Sequence, residues 1–258
     1  MKSIAIILLI MCLFFSGCTE ENNPIHNNHD DNLSDNQPII NNTDPVKTII
    51  EIPKNTFYIL EQNRSFTDIY FALNEINQSQ TLIIGPGTYN LSIEINKSIT
   101  FKASNHSDPP VFILPDQNMN LLTINASNCI IEHIHFYSTV PHKISDFTTG
   151  LLIFSSQNKI INSTIQGFYY GLRLRSYTSG DRVYSNHFLN NTDGLEVVNS
   201  MRNTIKHNRF DNHSRFGVYI GWNANENTIQ QNDFYNNNEA IRIKSCYDNS
   251  ATHNNFYN

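Results

Sequence analysis

The sequence has few charged residues and no run of lysine or arginine. Charged residues make up 16% of its 258 residues, and the formal net charge is −6. A protein that follows a phosphate backbone needs a basic patch or stripe, which is absent here. We therefore expect no nucleic-acid partner.

The sequence also lacks an apolar run long enough to cross a bilayer, which takes about 20 residues. The run Ile4 to Phe15 follows Lys2 and ends in Ser16-Gly17-Cys18. This pattern is typical of a signal peptide. Small residues before a cysteine resemble the lipobox of prokaryotic lipoproteins, which implies a signal peptide over residues 1–18 and a lipid on Cys18. An ordinary signal peptide or an uncleaved anchor is the alternative. Each interpretation predicts an exported protein at the cell envelope, and the lipid would hold it at the outer face of the membrane.

Apolar residues are scarce in the segment that follows. It has no hydrophobic periodicity, so it cannot bury enough surface to offset its ordering entropy. We expect a disordered tether over residues 19–47 and a folded domain over residues 48–258. The histidines and aspartates of the tether could bind a transition metal loosely, but a solvated polar linker explains them better.

The folded domain repeats a unit of 21 to 24 residues. Small anchor residues recur at this spacing, and a second set agrees with it. The anchors are Gly150, Gly171, Gly194, Gly217 and Ala240, and the second set is Asn186/Phe188, Asn208/Phe210, Asn232/Phe234 and Asn254/Phe256.

No unit has the ten or more residues of helical periodicity that a leucine-rich or helical repeat needs. Two short segments in each unit instead alternate apolar and polar residues, as at Leu172 and Leu174, which is the period of a half-buried strand. Such units predict an all-β, single-stranded parallel β-helix in which each unit is one coil. The recurring asparagines would then lie about 4.8 Å apart at one turn and form a structural amide ladder.

The ends of the solenoid lead to separate expectations. Ser65 to Asn77 offers Ser65 as an N-cap and apolar residues at helical spacing, which predicts an N-terminal helix that covers the first coil. The C-terminal coil is incomplete after Phe256, so we expect self-association or a capping partner there. Cys129 and Cys246 would be on the order of 24 Å apart, too far for a disulfide, which needs alpha-carbons within about 7 Å.

The order of helix, Ile83 to Asn90 (IIGPGTYN), Ile95 to Ser104 (INKSITFKAS) and asparagine-rich coils resembles the pectin-lyase-like superfamily. Within it, the sequence resembles the NosD-like group and the surface proteins of the carbohydrate-binding and sugar hydrolase type. The resemblance covers residues 56–258 and implies a right-handed parallel β-helix. Its shared residues are turn and core positions, which specify the fold more than the function.

Two strings resemble motifs of the polygalacturonases, which share this fold. They are Asn191 to Gly194 (NTDG) and Arg242 to Lys244 (RIK). Glycosidases need two carboxylates, yet His213 to Gly217 stands where that family has two aspartates, and no Gly-His-Gly follows. Asp193 is thus a weak catalytic candidate. We expect no enzyme, with a polysaccharide hydrolase or lyase as the alternative.

Metal sites of related proteins suggest two further comparisons. Calcium-dependent lyases converge several aspartates on one ion, but Asp181, Asp193, Asp211 and Asp233 occupy different turns. NosD-like proteins are linked to copper-site maturation, which makes a copper-maturation accessory the second alternative. Copper donors must lie within about 2 Å of the metal. We expect His133 and His135 to face outward from one strand, and we expect His207 and His253 to lie two coils apart. We therefore expect no metal and no cofactor.

One outward column combines planar donors, a carboxylate and an aromatic ring: Arg173, Glu196, Tyr219 and Arg242. Lys244 lies in the next column, with Trp222 adjoining. Such a mixture suits a sugar ligand, although plain cross-strand pairs are the alternative. We expect a lipid-anchored, non-catalytic surface protein that contacts extracellular or cell-surface polysaccharide.

Overall fold

The computed structural model describes residues 51–139 and 147–258. In these ranges, short strands form three long sheets, and each complete coil contributes one strand to each sheet. Strands are numbered in chain order. The first sheet contains β1 (Phe57–Ile59), β2 (Arg64–Phe66), β3 (Thr81–Ile84), β6 (Thr100–Ala103), β9 (Ile130–Glu132), β12 (Lys159–Ile161), β15 (Arg182–Tyr184), β18 (Thr204–Lys206), β21 (Thr228–Gln230) and β24 (Ser250–Thr252).

The second sheet contains β4 (Thr88–Asn90), β7 (Val111–Ile113), β10 (His135–Tyr137), β13 (Thr164–Gln166), β16 (His187–Leu189), β19 (Arg209–Asp211), β22 (Asp233–Tyr235) and β25 (Asn255–Tyr257). The third sheet contains β5 (Ile93–Ile95), β8 (Asn120–Ile124), β11 (Thr149–Ile153), β14 (Tyr170–Leu174), β17 (Asp193–Val198), β20 (Phe216–Gly221) and β23 (Glu239–Lys244).

The strands pair in parallel from coil to coil, except that β1 is antiparallel to β2 and β3. The fold is therefore the predicted right-handed parallel β-helix, an all-β solenoid of about seven turns. The sequence suggested two strand segments in each unit, but each coil has three. In residues 203–210 (NTIKHNRF), β18 and β19 are separate strands, because His207 between them has a left-handed backbone with φ of 56°.

Like residues stack along the core, as the repeat predicted. Ile205 pairs with Ile229, and Phe210 pairs with Phe234, in register on adjacent coils. The ring centroids of Phe188 and Phe210 are 4.8 Å apart, which matches the spacing between strands. A column of stacked phenylalanines, Phe188, Phe210, Phe234 and Phe256, therefore lies behind the last four strands of the second sheet.

The anchor glycines are explained by a close approach between coils. A Cβ on Gly171 would lie 2.5 Å from the carbonyl oxygen of Gly194, and one on Gly194 would lie 2.6 Å from that of Gly217. A side chain at either position would push the coils apart. The regular spacing of small residues is thus a packing requirement at the start of the third-sheet strands.

The asparagine ladder is confirmed at the turn between the first and second sheets. The Asn186 amide nitrogen donates to Asn208 Oδ1 at 3.0 Å, and Asn208 donates to Asn232 Oδ1 at 3.0 Å. Each of these side chains is buried. Because every amide both donates and accepts, the turn satisfies its buried polar groups without water.

Two further ladders lie at the other turns, and the repeat spacing did not predict them. One joins Cys129, Asn158, Asp181, Asn203, Asn227 and Asn249, in that order, through backbone amides that donate to side-chain oxygens. The other runs from Asn191 through His213 to Asn237. Aspartate and histidine thus occupy ladder positions that asparagine fills elsewhere.

The described residues contain one α-helix, α1 (Ile69–Glu75), and a 3-10 turn at Leu60–Gln62. The N-cap is Asp68, whose side chain accepts from the Phe71 backbone amide at 3.0 Å. The expectation that Ser65 caps the helix was wrong, because Ser65 lies in β2 and pairs with β1. Ile69 is buried in the core. The capping role of the helix stays a prediction.

Cys129 and Cys246 are free thiols, and Cys129 is fully buried. The expected signal peptide, the lipid on Cys18 and the tether lie outside the described residues.

Candidate functional site

The candidate surface is the outward side of the third sheet. Its register brings the predicted column together on adjacent coils, with Arg173 beside Glu196, Glu196 beside Tyr219, and Tyr219 beside Arg242. A second column begins each strand and adds aromatic rings and carboxylates. We call this surface the arginine–aromatic face and define it by Tyr170, Arg173, Asp193, Glu196, Arg215, Phe216, Tyr219, Glu239 and Arg242.

Glu196 is held by two arginines. Arg173 Nε donates to its Oε2 atom at 2.7 Å, and Arg175 Nη1 donates to the same oxygen at 3.0 Å. The Arg173 guanidinium also stacks over the Tyr170 ring at 3.8 Å. Only 9% of the Glu196 side chain is exposed. The cross-strand alternative therefore describes the Arg173–Glu196 pair, and Glu196 acts as a counter-ion that leaves one positive charge in excess.

Asp193, the weak catalytic candidate, is buried under an arginine that the sequence analysis missed. Arg215 Nε donates to Asp193 Oδ1 at 2.7 Å, and Arg215 Nη2 contacts Oδ2. Asp193 is 1% exposed. Burial raises the pKa of Asp193, while the hydrogen bonds and charge of Arg215 lower it. The only sequence signal for this pair is that Arg215 directly precedes Phe216, the register partner of Asp193.

Aromatic rings support the guanidinium groups at the other end of the face. The Phe216 and Tyr219 rings stack with centroids 5.4 Å apart, and Arg242 lies over Phe216 at 5.0 Å. Arg242 also bonds Glu239 at 2.6 Å, yet 46% of its side chain is exposed. Tyr219 lies flat along its strand, since a Cβ on Gly221 would meet the Tyr219 hydroxyl at 2.5 Å.

A shallow groove borders this face at the turn after the third sheet. It is lined by Arg175, Glu196, Val198, Asn199, Trp222 and Asn223. Trp222 is 64% exposed, and Tyr177 on the same turn is 76% exposed. The Tyr177 amide donates to the Asn199 carbonyl, and the Asn199 amide donates to the Trp222 carbonyl. The two rings therefore belong to coils two steps apart, a separation of about 10 Å.

Both of these exposed aromatic residues have left-handed backbones. The φ angle is 60° at Tyr177 and 53° at Trp222. Bulky residues rarely adopt this conformation, because it brings the side chain close to the backbone. Most other turns of the solenoid place asparagine, serine, glutamine or histidine there. Two large rings are thus held outward at a cost in backbone strain.

The face and groove together are positively charged. Four basic side chains, Arg173, Arg175, Arg215 and Arg242, meet three acidic ones, Asp193, Glu196 and Glu239, and a fifth basic residue, Lys244, ends the adjoining strand β23. Lys244 is exposed and pairs in register with Gly221. The whole chain carries a net charge of −6. The surface therefore concentrates positive charge on an acidic protein.

The sequence profile of the family described as "Periplasmic copper-binding protein (NosD)" matches residues 95–258. The chain belongs to this NosD family. A relative named "Cell surface glycoprotein", from Methanothermus fervidus, is 28% identical over 173 residues. The match covers 65% of this chain and 28% of the relative, so the NosD-family chain spans less than a third of that protein.

Several solved structures are similar to this NosD-family chain. The Dettilon tailspike protein is 14% identical at a TM-score of 0.49, over 62% of this chain and 40% of its own. Pectate lyase Pel9A is 15% identical at a TM-score of 0.47, over 68% of this chain and 56% of its own. A variant of the PL6 family alginate lyase AlyGC is 11% identical at a TM-score of 0.44, over 70% of this chain and 34% of its own. None of these similarities bears on function.

The described residues do not fit the copper ion that the family name implies. No group of three or more histidine, cysteine, aspartate or glutamate side chains within residues 51–139 and 147–258 is arranged to hold a metal. The His106 and His133 rings stack at 3.6 Å with 3° between their planes. The nitrogen lone pairs lie in the ring planes, so two parallel stacked rings cannot direct them at one ion within about 2 Å.

Two further histidines, His187 and His213, form hydrogen bonds within the protein. His187 Nε2 bonds Asp211 Oδ2 at 2.8 Å, and His213 Nδ1 accepts from the Asn191 amide at 3.1 Å. His133 lies in a turn with φ of 56° and not on a strand, so the expectation that it alternates with His135 on one strand was wrong. No helix in the described part of the chain is long and apolar enough to cross a membrane.

Proposed function

We propose that the protein is exported to the cell surface, is held there by a lipid on Cys18, and binds acidic carbohydrate without transforming it. The binding surface is the arginine–aromatic face together with the groove beside Trp222. The observation that carries this proposal is the pair of exposed, strained rings at Tyr177 and Trp222, which lie beside an excess of positive charge.

The charge of the surface selects the class of ligand. Four basic groups of the face and groove, with Lys244 beside them, face three acidic ones, and Glu196 and Asp193 are occupied by internal ion pairs. The exposed cations, Arg242 and Lys244, remain accessible at the rim. A positive patch on a negative protein raises the local concentration of anionic ligands. Arginine also matches the planar geometry of a carboxylate, which favours uronic acids or other acidic sugars.

The two exposed rings match the shape of a sugar chain. Aromatic faces pack against the apolar faces of pyranose rings while the hydroxyl groups bond to polar neighbours. Tyr177 and Trp222 are two coils apart, about 10 Å along the solenoid axis. This separation is close to the length of two linked pyranose rings. A chain that lies along the axis could therefore stack on both.

Several observations support a binding role over hydrolysis. A glycosidase uses two carboxylates on either side of the scissile bond. Asp193 is fully buried, and Glu196 is engaged by two arginines. Backbone strain at exposed residues is often associated with ligand contact, and here the strain lies at aromatic residues. The name of the Methanothermus fervidus relative supports a location at the cell surface.

A glycan array tests this proposal with the full chain and three variants. We expect binding to acidic and not to neutral glycans, with at least a tenfold loss in Trp222→Ala and Arg242→Ala. Phe71→Ala is the matched control, since Phe71 is 54% exposed but lies on α1. Equal binding by all variants, binding to neutral glycans alone, or release of reducing sugar would overturn the proposal.

A further inference from the structure

The chain carries a set of surface asparagines that are separate from the ladders. Nine Asn-X-Ser/Thr sequons, the acceptor pattern for N-linked glycans, fall in the described residues. Every one of the nine asparagines is exposed. They are Asn63, Asn77, Asn90, Asn96, Asn105, Asn125, Asn162, Asn190 and Asn212.

The coil geometry keeps the fully buried ladder asparagines out of this pattern. In the two ladders that precede the first-sheet and second-sheet strands, the chain has an inward-facing strand residue two positions after the asparagine, as with Asn186 and Phe188 or Asn203 and Ile205. An apolar residue there cannot complete a sequon. Buried asparagines therefore serve the scaffold, and sequon asparagines are confined to the surface.

The sequon at Asn105 lies in a loop and forms an Asx turn with its own serine. It lies in residues 104–110, between β6 and β7, and Asn105, His106 and Ser107 are all exposed. The Ser107 backbone amide donates to Asn105 Oδ1 at 2.9 Å, which forms an Asx turn. His106 stacks on His133 of the next coil at 3.6 Å. The Asx turn engages the oxygen of the Asn105 carboxamide, and Asn105 and Ser107 are both exposed.

Three of the other sequons, at Asn162, Asn190 and Asn212, hold their middle residue inside a turn ladder. Ser163 follows Asn162 and is buried, and its backbone amide donates to Asn186. Asn191 follows Asn190 and is also buried in a ladder. A transferring enzyme would have to open these turns to reach the acceptor. Asn105 needs no such opening.

We propose that Asn105 is a site of N-glycosylation on the folded, exported protein. The Asn105 amide nitrogen attacks the anomeric carbon of a lipid-phosphate-linked sugar donor. A carbon–nitrogen bond forms, the bond from the anomeric carbon to the phosphate oxygen breaks, the lipid phosphate departs with the electron pair of that bond, and the amide proton passes to solvent. No change of oxidation state is involved.

The positions of the sequons agree with the rest of the molecule. None of the nine asparagines belongs to the arginine–aromatic face or the groove beside Trp222. A glycan at any of them would be attached outside that surface. This inference does not depend on carbohydrate binding, because the modification needs only export and an acceptor loop.

The test is glycopeptide mass spectrometry of the full chain, expressed with its own N-terminus in cells that also glycosylate a reference protein. We expect sugar on the Asn105 peptide, and Asn105→Gln and Ser107→Ala should each lose the mass of one glycan. Ser107→Thr should retain it, and Asn128→Gln, an exposed asparagine outside any sequon, should change nothing. Circular dichroism would show that each variant is folded.

Two results would overturn the proposal. One is a bare Asn105 peptide in the unaltered chain while the reference protein is modified. The other is retention of the glycan in the folded Ser107→Ala variant, which would show that the sequon does not direct the modification.

Discussion

Replacement of Asp181 by asparagine should stabilise the protein at neutral pH. Asp181 Oδ1 accepts from the Asn158 backbone and side-chain amides at 2.8 and 3.0 Å. One coil further, the Asn203 amide nitrogen donates to Asn227 Oδ1 at 2.8 Å. By analogy Asp181 Oδ2 takes the place of such an amide, and it is buried without a hydrogen-bond partner. An asparagine could donate where the carboxylate cannot.

The size of the effect follows from the burial of the carboxyl group. Burial raises the pKa of Asp181 from its usual 3.8 to about 6, although hydrogen bonds from Asn158 lower it in part. A shift of about two units corresponds to about 3 kcal/mol, since each unit is worth 1.36 kcal/mol. Folding favours the protonated, neutral form of Asp181. The contribution of this carboxyl to stability is therefore fully present below about pH 4 and is lost as the pH rises through about 6. We expect Asp181→Asn to gain about 1–3 kcal/mol at pH 7.

Urea denaturation followed by circular dichroism at pH 4, 5, 6 and 7 measures this gain. The difference between Asp181→Asn and the unaltered chain should grow from pH 4 to pH 7. Asn203→Asp, which adds a second buried carboxyl one coil along the ladder, should lose stability over the same range. Asp116→Asn, at an exposed aspartate, should have no effect. A pH-independent difference, or a loss of stability in Asp181→Asn at pH 7, would refute the reasoning.

Three other substitutions test the packing and the ion pairs. Arg215→Ala should lower the free energy of unfolding by about 3–5 kcal/mol at pH 7, because it leaves the buried Asp193 carboxylate unpaired. The double variant Arg215→Ala with Asp193→Asn should recover part of this loss in the same urea assay. Phe210→Ala should cost about 3–5 kcal/mol by removing a fully buried ring from the aromatic column, whereas Phe256→Ala, at a 59% exposed ring, should cost far less. Burial lowers the pKa of His213 to about 4, so this group destabilises the fold as the pH falls from 6.5 toward 4. His213→Asn should therefore flatten the acid limb of the pH–stability curve, and an unchanged limb would contradict this account.

The repeat made most of the scaffold predictable. Glycine spacing located the start of the third-sheet strands, and the phenylalanine spacing located the core column. The same register correctly placed Arg173, Glu196, Tyr219 and Arg242 on one face. Period alone sufficed because each coil contacts its neighbours at equivalent positions.

Features that depend on a departure from the repeat were not predictable. Arg215 precedes its strand and reaches back one coil to Asp193, so strand alternation did not indicate the pair. Asp181 and His213 break the asparagine pattern at ladder positions, and only the hydrogen bonds show that they belong there. The stacking of His106 depends on the conformation of an irregular loop. Such contacts follow from side-chain reach and turn geometry, which periodicity does not encode.

Calorimetric titration of the full chain with uronic acid oligosaccharides of increasing length tests the proposed binding most directly. Affinity should rise with length until the oligosaccharide reaches from Tyr177 to Trp222, about 10 Å along the axis, and then level off. It should weaken with added salt, because the exposed cations carry part of the attraction. No heat of binding, or an affinity that depends on neither length nor charge, would contradict the account.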